Sequence, residues 1–412
     1  MKRTVVISGM GTVNPLGNEV NDSWQNAKKG ANGINLIKRF DTEDLDVHIA
    51  GEVKENDDDF FTKKEKKRLD RFTQLALRSA EEAVKDSGIM DVSFDPYKVG
   101  VYYSSGIGGL ETIANQNERG ISKGYGRISP FFIPKAIINI AAGHIAIKYG
   151  FKGPALSNVT ACASATNSIG EAFRAIRDGY IDYAITGGSE ASITKLGLSG
   201  FKVMQALSND TDPKTASKPF DKNRSGFVMG EGAGTLVLET KESALKRGAY
   251  IYGEIVGYGT TADAVHITAP DVEGSGAMHA MKFALEDGGL APKIIDYINA
   301  HGTSTPLNDK VESLAIKRLF EEHAESVSIS STKSMTGHLL GASGAVESIF
   351  ALKSLEDNFI PPTINYETVD EDCDLDYTVN EGKHKTLEYA MNNSFGFGGH
   401  NASLVFKKWK GE

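Results

Sequence analysis

FVMGEGAGTLV at residues 227–237 returns in outline as FGFGGHNASLV at residues 395–405. Each string passes from an aromatic residue through a glycine cluster into a short apolar run. A second echo appears when Cys162 is laid over His338, an offset of 176 residues: Glu171 then falls on Glu347, and FRAI at 173–176 on IFAL at 349–352. Repetition at two places in one chain points to a duplicated unit. On this reading Cys162 and His338 sit at equivalent helix starts in two halves and face each other across a pseudo-axis.

Around these repeats, short apolar stretches alternate with helical patterns. Strands are expected at 4–8, 99–104, 183–186, 235–239, 251–258, 297–299, 327–330, 389–392 and 403–406. Helices are expected at 64–86, 134–148, 163–178, 276–287, 309–321 and 344–356. The first helix opens on a capping box, Thr62 to Glu65, and stops at Gly88. Such alternation is the mark of a layered α/β fold with buried sheets. The polar stretch 208–226 reads as a surface excursion. A short basic helical stretch, Lys241–Arg247, closes the first half, so the halves are placed at 1–249 and 250–412.

The chain has 412 residues, too many for one ordinary core and enough for two core units or one large α/β domain. Its 40% hydrophobic and 24% charged residues exclude disorder, coiled coil and a membrane bundle as the main architecture. The net charge of −9 argues against nonspecific nucleic-acid binding. The two cysteines, Cys162 and Cys373, make neither a disulfide framework nor a zinc spacing, so no metal is expected and a reducing, cytoplasmic setting fits best. The first apolar run is three residues long and reads as a strand rather than a signal peptide. No apolar stretch reaches the ~18 residues of a membrane span.

Four segments carry candidate chemistry. In VTACASAT, residues 159–166, a thiol stands where an extended segment meets a helix; a helix N-terminus lowers a thiol pKa, and the small neighbours admit a substrate carbonyl. The alternative is a buried structural cysteine. Cys373, among Glu371, Asp372 and Asp374, is expected to be inert. In YINAHGTSTP, residues 297–306, His301 follows a strand on a loop of small residues, where histidines reach clefts or bond within the turn. In STKSMTGHLLGASG, residues 331–344, a strand again leads into a helix through His338, and Lys333 is placed to pair with Glu347. In NNSFGFGGHN, residues 392–401, an aromatic lies among glycines that can turn N–H groups toward an anion or let the loop swing. Two Gly-x-Gly runs, at Gly9 and Gly257, fail as dinucleotide fingerprints because no helix start follows them.

Taken together, the four motifs resemble those of the condensing enzymes of fatty-acid and polyketide synthesis, and the resemblance covers essentially the whole chain. It implies the thiolase fold, a duplicated unit in five layers, α-β-α-β-α. It implies decarboxylative Claisen condensation of acyl-ACP with malonyl-ACP, without metal or organic cofactor. By the same resemblance Cys162 is the acyl-accepting nucleophile, His301 and His338 are the two catalytic histidines, Lys333 is the buried lysine and Glu347 the buried glutamate. Phe397 is the gate, its N–H forming an oxyanion hole with that of Cys162, and Ile107 lines the acyl pocket. Ala165 and His400 depart from common family residues and bear on substrate preference only. A polyketide-type ketosynthase subunit shares every motif. A thiolase would need a second cysteine as base, and Cys373 stands in the wrong context for that.

The partner implied is the acidic acyl carrier protein, for which the basic run Lys63, Lys64, Lys67 and Arg68, with Arg127 on a second loop, is the expected landing site. A homodimer is implied by the family alone.

Overall fold

In the computed structural model, which describes residues 2–54 and 60–411, the first strand continues through the glycines expected to follow it. β1 spans Val5–Val13. A Cβ at Gly9 would lie 2.4 Å from the carbonyl oxygen of Ala83, and one at Gly11 2.0 Å from that of Ser79. Only their absence lets α1 (Arg71–Ser87) lie directly on the strand.

The rest of the first half supplies β2 (Val99–Ser104), β3 (Ala155–Leu156), α2 (Ser164–Arg177), β4 (Tyr183–Glu190) and β5 (Gly232–Thr240). The second half supplies β6 (Gly253–Ala262), α3 (Ser275–Gly288), β7 (Tyr297–Asn299), α4 (Pro306–Phe320), β8 (Ser328–Ser330), α5 (Ser343–Asp357), β9 (Tyr389–Gly396) and β10 (His400–Lys408). Strand order is β1-β5-β4-β2-β3 in the first half and β6-β10-β9-β7-β8 in the second. Parallel and antiparallel neighbours match position for position. β1 and β6 pair antiparallel, Val5 opposite Ile255, and join the halves into one ten-stranded sheet.

The strand alternation then sets the layers. Leu236 and Leu404 point inward, onto Ile169 and Phe173 of α2 and Ile349 and Leu352 of α5. Val237 points outward onto Phe72 and Ala76 of α1. Val405 points outward into the core that Met281 of α3 and Ile316 of α4 share. The five layers follow, with the paired helices α2 and α5 in the middle. Among the described residues, no helix is long and apolar enough to cross a membrane.

The helix repeat has a different register from the one expected. Ala161 at φ 49° and Leu340 at φ 48° are the matching left-handed residues, each opening a 3-10 turn, Ala161–Ala163 and Leu340–Ala342. Cys162 therefore corresponds to Gly341, not His338, and Glu171 has no counterpart in Glu347. The overlay aligned like side chains, whereas the fold repeats a backbone turn.

Other boundaries also move. The helix expected at 64–86 breaks at Leu69, and Asp70 caps α1 by accepting the Phe72 N–H at 3.2 Å. The one expected at 134–148 is two, Phe132–Ala136 and Ile140–Tyr149. Helices Val20–Lys28, Leu110–Lys123 and Lys195–Val203 were not expected at all. The polar stretch 208–226 is no surface excursion over its second part: Ala216, Phe220, Asp221 and Arg224 are buried. Its polarity is spent internally. Arg224 donates to the carbonyl oxygens of Thr305 and Pro306 at 3.1 and 2.8 Å, and Asp221 accepts from Glu367 and Thr368.

Candidate active site

A left-handed alanine aims the thiol. Non-glycine residues seldom take positive φ, and Ala161 does so one residue before Cys162, turning the chain sharply between β3 and α2. The expected lowering of the thiol pKa does not occur. α2 starts two residues later, at Ser164, and Cys162 is 8% exposed. Burial pushes its thiol up to about 12; Lys333 and the N–H groups of Phe397 and of Cys162 itself pull the other way without prevailing. The resting group is a thiol.

His301 follows the end of β7. Its own N–H and that of Gly302 both donate to Glu312 of α4, at 2.8 and 2.7 Å. That carboxyl is itself buried and raised to about 7, chiefly by burial. His338 is braced through its backbone: its N–H donates to Val228 at 2.7 Å and its carbonyl accepts from Gly230 at 2.8 Å. Its Nδ1 lies 2.9 Å from the hydroxyl of Ser343, the first residue of α5. A hydroxyl that donates to Nδ1 leaves the ring proton on Nε2. The two rings stand 5.3 Å apart and nearly perpendicular, with Phe395 edge-on to His301 and Phe227 edge-on to His338. Burial, then the Lys333 charge, holds both rings well below the ordinary histidine pKa. Both are neutral at pH 7 and offer N–H groups without a positive charge.

Cys162, His301, His338 and Phe397 line one cavity of about 400 Å³. Lys333 and Glu347 pair as expected, but behind the histidines and off the cavity wall. Ile107 is also off that wall; it packs half-buried in the apolar cluster that contains Cys162, Leu340 and Phe201. A Cβ at Gly396 would lie 2.9 Å from the Cys162 nitrogen, so the glycine lets the Phe397 loop close onto the nucleophile. Lys63, Lys64, Lys67, Arg68 and Arg127 are all exposed. The Arg68 guanidinium lies over the Phe131 ring at 5.2 Å, which brings the Arg127 loop beside the basic helix. Among the described residues, no group of three His, Cys, Asp or Glu could hold a metal ion.

Sequence reading missed Glu312 and Ser343. Glu312 stands eleven residues beyond His301 on the next helix, a separation no motif announces.

Residues 2–244 match the family described as Beta-ketoacyl synthase, N-terminal domain, and residues 252–367 the corresponding C-terminal domain. The chain is 53% identical over 409 residues to the 3-oxoacyl-[acyl-carrier-protein] synthase 2 of Staphylococcus aureus (strain COL), covering 99% of each. It is 48% identical over 411 residues to the protein of that name from Synechocystis sp., again covering 99% of each. Among solved structures, a beta-ketoacyl synthase from Burkholderia phymatum superposes with a TM-score of 0.92 at 35% identity over 100% of both chains. A ketosynthase complex from a type II PKS, solved with its acyl-carrier protein and bound to the hexaketide, gives 0.90 at 34% identity, covering 99% of this chain and 100% of that one.

Proposed function

The chain belongs to the beta-ketoacyl synthase family, and from that premise we propose that it elongates fatty acids by condensing acyl-ACP with malonyl-ACP to give 3-oxoacyl-ACP, free ACP and CO2. The observation that carries this reading is the convergence of Cys162, His301 and His338 on one cavity. The first half, 1–249, brings the nucleophile, and the second, 250–412, both histidines.

Acyl transfer comes first. The Cys162 sulfur attacks the acyl thioester, its carbonyl oxygen held by the N–H groups of Cys162 and Phe397. The carrier sulfur departs, and the proton of the Cys162 thiol ends on it. Malonyl-ACP follows and loses CO2, the C–C bond pair moving into an enolate. Its oxygen takes N–H donation from neutral His301 and His338, a better match than imidazolium because no proton needs returning. The enolate carbon attacks the acyl carbonyl, and the Cys162 sulfur leaves and is reprotonated. Burial, helped by the charge of Lys333, keeps the two rings neutral. The deciding experiment is mass spectrometry of the protein after acyl-ACP: an acyl adduct on Cys162 supports the reading, and its absence overturns it.

A polyketide-type subunit has less behind it. The relatives named 3-oxoacyl-[acyl-carrier-protein] synthase 2 reach 53% identity, against 34% for the ketosynthase of the type II PKS. A homodimer is proposed through the edge strand β3, where Leu156 is exposed, together with the exposed Ile147 on the helix Ile140–Tyr149 that packs against that strand. Two unpaired cysteines fit a cytoplasmic setting.

The acidic carrier is proposed to land on Lys63, Lys64, Lys67, Arg68 and Arg127. Changing Lys67 and Arg68 together to Glu is expected to raise KM for acyl-ACP by about tenfold or more, since like charge opposes encounter, while sparing a small thioester mimic. Equal loss with both substrates would remove the docking assignment. Ile107 is proposed to border the acyl chain. Ile107→Phe overpacks that space at about 1–3 kcal/mol, so long acyl groups are rejected and short primers still react. An unchanged acyl-length profile would refute the placement.

A further inference from the structure

A fully buried carboxylate with five neutral donors stands beside the nucleophile. Glu190 ends β4 and is 0% exposed. Its Oε1 accepts from the hydroxyls of Ser105 and Ser192 at 2.9 and 3.1 Å and from the Ile107 N–H at 3.3 Å. Its Oε2 accepts from the N–H groups of Gly106 and Gly341 at 2.8 and 3.1 Å. Ser105 in turn accepts the Gly108 N–H at 3.0 Å. The whole turn that carries Ile107 therefore hangs on this one side chain, and so does Gly341, which follows Leu340.

Ile107 comes from the first half and Leu340 from the second, and both pack in the apolar cluster with Cys162. The two turns are in backbone contact: a Cβ at Gly341 would fall 2.2 Å from the Gly106 nitrogen. Holding them together needs an acceptor on both sides of one side chain. A carboxylate has two acceptor oxygens, whereas an amide turns a donor toward one side. The mechanism above makes no use of Glu190, yet its complete burial, which raises the carboxyl pKa against the pull of its donors, is costly and calls for a compensating role.

We propose that Glu190 is a positioning residue for chain-length selection, setting the width of the acyl chamber by clamping the Ile107 turn of one half to the Leu340 turn of the other. This rests on the reading of the site as an acyl-chain condensing centre in which the chain runs beyond the described cavity into the apolar cluster of Cys162 and Leu340, with Ile107 as its border.

The test is Glu190→Gln. With the amide oxygen kept toward Gly106 and Gly341, the amide nitrogen faces Ser105, Ser192 and Ile107. The two hydroxyls can turn to accept; the Ile107 N–H cannot. The Ile107 turn slackens, and kcat/KM for the longest accepted acyl-ACP relative to a short one is expected to rise by about 3- to 10-fold, the worth of one ordinary hydrogen bond. In an Ile107→Ala background, where that wall is already gone, Glu190→Gln is expected to add nothing; general damage would act equally in both backgrounds. Ser192→Ala, which removes one donor, is expected to shift the ratio the same way by less, and it carries the test if Glu190→Gln does not fold. An unchanged ratio in folded Glu190→Gln overturns the proposal, as does an equal shift in the Ile107→Ala background. If Glu190→Gln fails to fold, an unchanged ratio for Ser192→Ala overturns it. Wild-type acyl transfer separates the two levels: its absence removes the function reading and this inference with it, while its presence with an unaltered profile removes this inference alone.

Discussion

Cys162→Ala is expected to form no acyl-enzyme and no 3-oxoacyl product, yet still to release CO2 from malonyl-ACP. Condensation should fall by a factor on the order of 10⁴ or more, as when a covalent nucleophile is deleted. Decarboxylation needs a stabiliser for the enolate oxygen and no nucleophile. Its two donors are fixed by groups that Cys162 does not touch: His301 by Glu312, and His338 by Val228, Gly230 and Ser343. Because burial keeps the resting thiol protonated, with its pKa up at about 12, alanine removes no charge from the site. The field at the two rings is therefore preserved. Adduct mass and radiolabelled CO2, measured on the same preparation, decide the matter. Loss of CO2 release as complete as the loss of product would mean that the sulfur takes part in both steps.

The sequence carried the chemistry more plainly than the backbone that aims it. Cys162, His301, His338 and Phe397 stand in short strings of small residues, and those strings name their partners because small residues are what a cavity mouth requires. The glycine-rich echo of 227–237 in 395–405 survives as β5 and β10, with Leu236 matching Leu404 and Val237 matching Val405. The clearest repeat lies in the glycines of two strands. Gly9 and Gly11 on β1, and Gly257 and Gly259 on β6, perform the same service, letting α1 and α3 press onto their strands. Neither run makes a nucleotide fingerprint, and that shared departure marks the repeat. What stayed hidden is long-range: Glu312 under His301, Glu190 under Ile107, and the inward course of Phe220 and Arg224. Each depends on a pairing across many residues, which no local pattern encodes. The thiol pKa departs from the sequence expectation for a related reason. A helix start is visible in sequence, but the burial that outweighs it is a property of the finished fold.

His338→Ala is expected to show the complementary defect. Acylation of Cys162 survives, since the N–H groups proposed to hold the acyl carbonyl belong to Cys162 and Phe397. CO2 release falls by about two to three powers of ten, the usual cost of one oxyanion donor. The ring that is lost has its Nδ1 2.9 Å from the Ser343 hydroxyl, and with that hydroxyl donating, Nε2–H is the proton available to the cavity. Alanine supplies no substitute, and His301 alone, held 5.3 Å away in a perpendicular plane, cannot cover both directions. The protonation state gives an independent check. Burial and Lys333 hold both rings well below the ordinary histidine pKa, so lowering the pH from about 8 through the usual histidine value of about 6.5 should not raise the wild-type decarboxylation rate; any change should be a fall, as Glu312 beneath His301, raised to about 7, takes up a proton over the same interval. An imidazolium mechanism would make it climb over the same interval, because the charged ring would be the active form. The measurement is radiolabelled CO2 release across that range for wild type and His338→Ala, with the Cys162 adduct recorded by mass for each. A rate that climbs as pH falls would show that a charged ring does the work, and loss of the adduct in His338→Ala would show that His338 serves acyl transfer as well.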